Sequence, residues 1–405
     1  MTSGPDLRAA REELGVSLGN LAEQIGRDKG HLSRVERAVD DREVTPALVR
    51  DYERALGITV AKPASTDGVA VGRLADDEEE AFELARRVAA SDVGEETLQR
   101  LEVAFDHLAT RYSVTPPAEL LLRVRRHLWF VTDLLDAPTR KTLTEHRRLL
   151  VVGAWLSLLG GTLHIDLNQR AAGAARIATA ATLARQADHA ELHAWTYETQ
   201  AWDALTEGDY RTALDLSLTA QEIAPAGSSA AIQATAQEGR AWARLGDRRE
   251  TARSLRRVNG LVANLARPDR PEHHYRYDPD KATAYTATTL AWVGDPAAEG
   301  YAREVIARLR SVADVGGWPR RVAAAQVDLA LALIAAGKPD EAAASALAAI
   351  LSGRIVPSNH WRAAEVIDVV HMCGLPEAAD LRAAYEALRR GDLTPALPAA
   401  AASRP

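Results

Sequence analysis

Four short segments near the start of the chain carry apolar residues at helical spacing: Asp6 to Leu14, Ser17 to Ile25, Asp28 to Ala38 and Thr45 to Leu56. Each break between them has its own physical cause. Gly15 and Gly26 allow the left-handed or tight backbone that follows a helix, and Ser17 and Asp28 can accept from free backbone N–H groups. Thr45-Pro46 places a cap before a proline suited to the first helical turn. Leu7, Leu14, Leu21, Ile25, Leu32, Val35, Leu48, Leu56 and Ile58 then recur so that they can fill one small core.

The pattern lapses after Ile58 in TVAKPASTDGVAVGRLADDEEE, which mixes Pro, Gly, Ser and Thr and ends in an acidic run, the mark of an interdomain linker. Helical periodicity then returns and runs from about residue 78 to 391. Turn pairs Gly208-Asp209, Gly246-Asp247, Gly294-Asp295 and Gly337-Lys338 punctuate it at intervals of 38, 48 and 43 residues, which suits helix hairpins with variable outer loops. The expected layout is residues 1–60 as one domain, 61–77 as linker, 78–391 as a helical array and 392–405 as a disordered tail. The tail, DLTPALPAAAASRP, offers no apolar face to bury.

Composition sharpens this picture. The chain has 405 residues, enough for two or three domains, and its Ala- and Leu-rich make-up with only three Phe favours an all-α fold. A single cysteine, Cys373, excludes an intramolecular disulfide and any multi-cysteine metal site. The first residues lack the basic-then-apolar layout of a secretory signal, so a reducing cytoplasm is expected. The most membrane-like stretch, Leu149 to Ile165, is 17 residues with paired glycines and His164, short for a span, and reads as a buried core helix. No Walker-type GKS or GKT, GxGxxG after a strand, GxSxG or HExxH occurs, so no enzyme, metal or cofactor is expected.

The most specific local sequence is LAEQIGRDKGHLSRVER, in which Ala22 lets two helices cross closely, Gly26 makes the turn, and Leu32 and Val35 anchor the second helix. Over Leu7 to Gly57, about an eighth of the protein, the chain resembles the Xre, or lambda-repressor-like, helix-turn-helix family. That resemblance implies double-stranded DNA as a partner, with the second helix of the pair in the major groove. Outward positions on it are Lys29, Gly30, His31, Ser33, Arg34 and Arg37. Lys29, His31 and Arg34 are expected at base edges, and Ser17, Ser33 and Arg37 at phosphates. Arg11 and Glu36 match positions that form an internal ion pair in the family, a structural role.

Three departures stand out. Leu18 replaces a usual glutamine that holds phosphate, Gly30 weakens the recognition helix, and Ala38 replaces a usual terminating glycine. Net charge is −7, so any DNA contact must be local. Residues 1 to 60 hold nine Lys or Arg against eleven Asp or Glu, a balance of −2, yet Arg27 to Arg37 holds four cations and two acids.

Within the array, AWDALTEGDYRTALDLSLTAQEIAP (Ala201 to Pro225) resembles a tetratricopeptide repeat, and stretches from Ala241, Thr289 and Ala330 echo its layout. The whole chain thus resembles regulators that join an Xre domain to tetratricopeptide-like repeats, a type common in actinomycetes and in peptide-sensing Gram-positive systems. The resemblance implies a homodimer and a peptide, small molecule or protein partner on the concave face. Residue types that suit such a ligand lie in RPDRPEHHYRYDPD, namely His273, His274, Tyr275, Arg276 and Tyr277. The alternative for that stretch is a proline-bounded connection packing its rings on neighbouring helices. Trp318, Arg320, Arg321, Asn359, His360, Trp361 and Arg362 cluster at expected helix starts, where core tryptophan with solvated arginine is the alternative to anion binding. Trp129, Trp155, Trp195, Trp202, Trp242 and Trp292 are expected in the core. Two functions compete: a dimeric, signal-responsive DNA-binding regulator, and an adaptor or sequestering protein whose helix-turn-helix binds DNA weakly.

Overall fold

The computed structural model describes residues 4–37, 44–56, 81, 94–138, 141–266, 273–311 and 319–393, and every element of defined range among them is helical. The expected linker 61–77, Ala38, Ile58, Trp318, the prolines at 268 and 271, and the tail from 394 lie outside the described residues. The chain divides into two compact units, Met1–Arg87 and Val88–Pro405.

The first unit contains α1 (Gly4–Glu13), α2 (Leu18–Gln24), α3 (Lys29–Arg37) and α4 (Pro46–Leu56). The capping residues hold their starts: Ser17 Oγ accepts from Asn20 N–H at 3.2 Å, Asp28 Oδ1 from His31 N–H at 2.8 Å, and Thr45 Oγ1 from Leu48 N–H at 3.3 Å. Gly15 and Gly26 take left-handed backbone at φ +67° and +64°. Leu7, Leu21, Ala22, Leu32, Val35, Leu48 and Tyr52 form the core, with Val16 and Leu18 packed against it. Leu14 differs from expectation. It lies one residue past the end of α1, in the turn made by Gly15, and is 47% exposed; Tyr52 fills core space the sequence pattern had not assigned to it.

The second unit contains fourteen helices among the described residues. They are α5 (Glu95–Arg111), α6 (Pro117–Asp136), α7 (Leu143–Asp166), α8 (Arg170–Gln186), α9 (Ala190–Thr206), α10 (Tyr210–Ile223) and α11 (Ser229–Leu245). The run continues through α12 (Arg248–Val262), α13 (Pro279–Trp292), α14 (Ala297–Ser311), α15 (Pro319–Ala335), α16 (Pro339–Leu351), α17 (His360–Met372) and α18 (Glu377–Arg390). Each helix of the run packs on the next. In addition α7, α9, α11, α13, α15 and α17 pack on one another in series, so they form an inner layer and the helices between them an outer one. This is an all-α solenoid of hairpins.

The curl brings a short 3-10 turn, Pro357–Asn359, against α7, nearly two hundred residues earlier. The hairpin turns are regular because a left-handed residue closes each: Asn168, Asp188, Gly208, Gly227 and Gly246 follow every 19 or 20 residues. Two of these are Asn or Asp, which tolerate that conformation through their short polar side chains. A glycine-only search therefore misses them.

The apolar stretch at 149–165 lies inside α7, the one helix among the described residues long and apolar enough to cross a membrane. It is packed within the protein instead, with 89% of that window buried. A capping box between Thr142 and Glu145 starts the helix. Its glycines let α8 approach: a Cβ on Gly161 would stand 2.7 Å from Ile177 Cγ1 and 3.3 Å from the Gly173 carbonyl oxygen. Trp195 is fully buried and Trp155, Trp202, Trp242 and Trp292 are partly so, whereas Trp129 on α6 is 60% exposed, against the core expectation.

Candidate functional site

Two features stand out, one in each unit. In the first, α3 is a rod held from beneath by Leu32 and Val35, both fully buried. Their spacing turns Lys29, Arg34 and Arg37 to solvent, with His31 and Ser33 half-buried beside them; Ser17 is exposed at the start of α2. The two acids that dilute this segment in the sequence are both occupied. Asp28 caps the helix, and Glu36 is buried and paired with Arg11. The outward face of α3 is therefore more positive than its residue count. Arg37 donates from Nε to the Ser33 carbonyl at 3.0 Å and from its other nitrogen to Ser33 Oγ, so these two side chains hold each other. Arg27 is tied to Asp51 at 3.0 Å.

Arg11 binds Glu36 in a bidentate pair, Nε to Oε1 at 2.7 Å and Nη2 to Oε2 at 2.6 Å, and its third nitrogen donates to the Val16 carbonyl at 2.9 Å. Tyr52, missed by the sequence reading, donates its hydroxyl to Glu36 Oε1 at 3.1 Å. Burial and the adjacent carboxylate push the Tyr52 hydroxyl pKa up, and the hydrogen bond to Glu36 raises the Arg11 guanidinium pKa. The pair ties α1 and α3 together, with α4 closing over it, and fixes the angle at which α3 is presented.

In the second unit the inner helices surround a cavity of about 240 Å³. Its wall includes Glu198 of α9, Gln233 and Arg240 of α11, Lys281, Tyr285 and Thr288 of α13, Arg320, Arg321 and Asp328 of α15, and Asn359 and Arg362 near the start of α17. Of the residues singled out for a ligand or anion, His274, Arg320, Arg321, Asn359 and Arg362 line it. Trp361 does not: its ring lies 6.0 Å from that of Trp292, under the Arg244 guanidinium at 5.0 Å. His360 sits beside Tyr385, its ring nitrogen 3.3 Å from the Ile355 carbonyl.

The run from His273 to Tyr277 is packed into the array rather than standing off it. His273 is buried with Nε2 3.1 Å from Asp106 Oδ1, and burial, aided by Arg276, lowers its pKa to about 4. Tyr275 stacks on Phe105, lies tilted against Trp155, meets Trp195 edge-on, and shares a 3.1 Å hydrogen bond with Thr162. The Tyr277 side chain is buried and its backbone N–H donates to Ser229 Oγ at 3.0 Å; Arg276 is exposed and pairs with Asp106 at 3.2 Å. Lys281 fixes the turn by donating to the carbonyls of His273, His274 and Arg276 at 3.0, 2.7 and 2.6 Å. The segment seals α5 against the inner layer.

The cavity wall is rich in buried charge. Arg320 pairs with Asp166 at 2.6 Å and lies over the Tyr112 ring; Arg362 pairs with Asp328, which also accepts from Thr288 at 2.7 Å. Glu198 forms no ion pair among the described residues and accepts from Gln233 Nε2 at 2.9 Å, and burial lifts its pKa to about 7. Sequence reading missed Glu198, Arg240 and Asp328, because isolated charges on helices otherwise read as solvent-facing. No group of three His, Cys, Asp or Glu suited to a metal ion occurs among the described residues.

The four-helix first unit, with a cationic second helix of the turn pair facing outward, defines a helix-turn-helix DNA-binding module. Residues 7–62 match the helix-turn-helix family model, and no curated protein matches the chain. The module supports a DNA-binding regulator; the match ends well before the solenoid begins.

Proposed function

We propose that the protein is a sequence-specific, cytoplasmic transcription regulator that dimerises through its tetratricopeptide-like array and senses a ligand there. The observation that carries the DNA-binding half is α3 itself, a rod on a buried Leu32–Val35 base that turns Lys29 and Arg34 to solvent with His31 half-buried beside them. Lys29 and Arg34 donate to guanine edges, His31 reads a neighbouring base, and Ser17, Ser33 and Arg37 hold phosphates. One such module neutralises few phosphates, so two copies side by side raise both affinity and operator length. A ligand in the array acts by favouring one separation of the two modules over another.

The test is selection of duplexes from a random pool by the full chain at low salt. Wild type enriches a motif with two related half-sites. Lys29→Ala, His31→Ala and Arg34→Ala combined lose the motif, each base contact being worth about 1–3 kcal/mol. If wild type enriches nothing, the adaptor reading replaces this one. Leu18 supports that alternative, since it packs on the core where the family carries a phosphate-binding side chain.

A further inference from the structure

One buried cation on the cavity wall, Arg240, makes no ion pair among the described residues, and the carboxylates that act on it through space, Asp328 and Glu198, are bound to other groups. Arg240 is 7% exposed, donates from Nη1 to the neutral Gln237 Oε1 at 3.0 Å, and has a buried Nε with no partner among the described residues. Its guanidinium lies 5.0 Å from the centres of both the Tyr285 and Trp292 rings. The other deeply placed cations are provided for. Arg320 has Asp166, Lys281 has three carbonyls, and Arg362 has Asp328. Arg362 nonetheless keeps its own Nε buried without a partner at 5% exposure, and its guanidinium is 5.5 Å from the same Trp292 ring. Two arginines that line the cavity thus each keep a buried Nε–H without a partner, with their guanidinium groups near one aromatic ring.

Unsatisfied buried donors on a cation are costly, and burial accordingly lowers the Arg240 pKa. An anion supplied from outside relieves both. The rest of the wall sets its size and character: Trp195, Tyr285, Ala287, Val305 and Val327 are apolar or aromatic, and the space is about 240 Å³. That space suits a compact organic body bearing one small charged group.

We propose that the cavity binds a small organic acid, its carboxylate received by Arg240 and Arg362 and its apolar body by the aromatic and aliphatic wall. The inference rests on the reading of the array as the sensing half of the regulator. Asp328 already balances Arg362, and Glu198 stands on the same wall, so a single negative charge is accommodated better than the two of a phosphate ester.

The experiment is calorimetric titration of the full chain with benzoate and phenylacetate, their uncharged amides, and inorganic phosphate. Saturable binding of at least one carboxylate is expected, about 10- to 100-fold tighter than its amide, because a charge-assisted pair is exchanged for a neutral one. Arg240→Gln weakens the carboxylate by a similar factor, and Ala324→Phe, which fills the space with both arginines retained, abolishes binding. Should Arg240→Gln fail to fold, the Ala324→Phe result together with the acid-to-amide ratio decides. No saturable binding by either acid, equal binding of acid and amide, or binding of phosphate alone overturns the proposal. Loss of carboxylate binding with operator selection intact overturns this inference alone. Absent operator selection with carboxylate binding intact overturns the regulator reading instead.

Discussion

The Arg11–Glu36 pair fixes how α3 is presented, so its removal tests the mechanics of the module directly. Glu36 accepts three hydrogen bonds, two from Arg11 and one from Tyr52, with side-chain exposures of 9% for Arg11 and 3% for Glu36. Glu36→Leu leaves a buried guanidinium and a buried hydroxyl without their acceptor. The expected cost is about 3–5 kcal/mol for the orphaned charge, a large share of the stability of a small domain. Combining it with Arg11→Met removes the lone cation and recovers most of the loss. The remaining deficit, about 1–3 kcal/mol for the Tyr52 hydroxyl, closes when Tyr52→Phe is added.

Hydrogen exchange of the α3 amides in the full chain measures each step as a local opening free energy, independently of the second unit. The ordering single, double, triple, from least to most stable, is the prediction. If Glu36→Leu alone costs under about 1 kcal/mol, or if the double variant is as unstable as the single, the pair does not hold α1 to α3 as described.

Three further outcomes follow from the solenoid. Gly161→Ala drives a Cβ into Ile177 at 2.7 Å where α7 and α8 cross, and costs about 1–3 kcal/mol by overpacking; a fall in melting temperature that Ile177→Ala partly reverses checks it. Glu198 has its folded pKa raised to about 7 from the ordinary glutamate value of 4.5, so between those values the native state binds the extra proton. Its contribution is present below pH 4.5 and lost as pH rises through 7, by up to roughly 3 kcal/mol. His273, lowered to about 4, pulls the other way between about 4 and 6.5, so the readout is the difference between wild type and Glu198→Gln in urea unfolding at pH 5 and pH 8. That difference is expected to shrink the loss of stability on raising pH, and an unchanged pH slope would refute the assignment. Lys281→Met releases the three carbonyls at 273, 274 and 276 and is expected to speed exchange of the amides in that turn, with α3 unaffected.

What the sequence determined by itself was local. Ser17, Asp28 and Thr45 each accept from the backbone N–H three positions on, Gly15 and Gly26 turn the chain, and Leu32 with Val35 anchors one helix face. Capping, turn conformation and helical periodicity act over a few residues, so short stretches of sequence contain all that decides them, including the glycine turns at 208, 246, 294 and 337. Asn168 and Asp188 escaped notice only because other residues than glycine can occupy that backbone region.

Tertiary structure alone decided what those helices enclose. Glu198, Arg240, Asp328 and Arg362 come from four helices spread over more than one hundred and sixty residues, and all but Arg362 look in isolation like ordinary charges on a solvated face. The inner layer of the solenoid turns them all inward, where loss of water raises one pKa and leaves two guanidinium donors unsatisfied. The same curl carried the aromatic run at 273–277 into the core against Phe105 and Trp155. Burial is a property of the assembled layers, and no periodicity within a single helix reports which of its polar residues will lose their solvent.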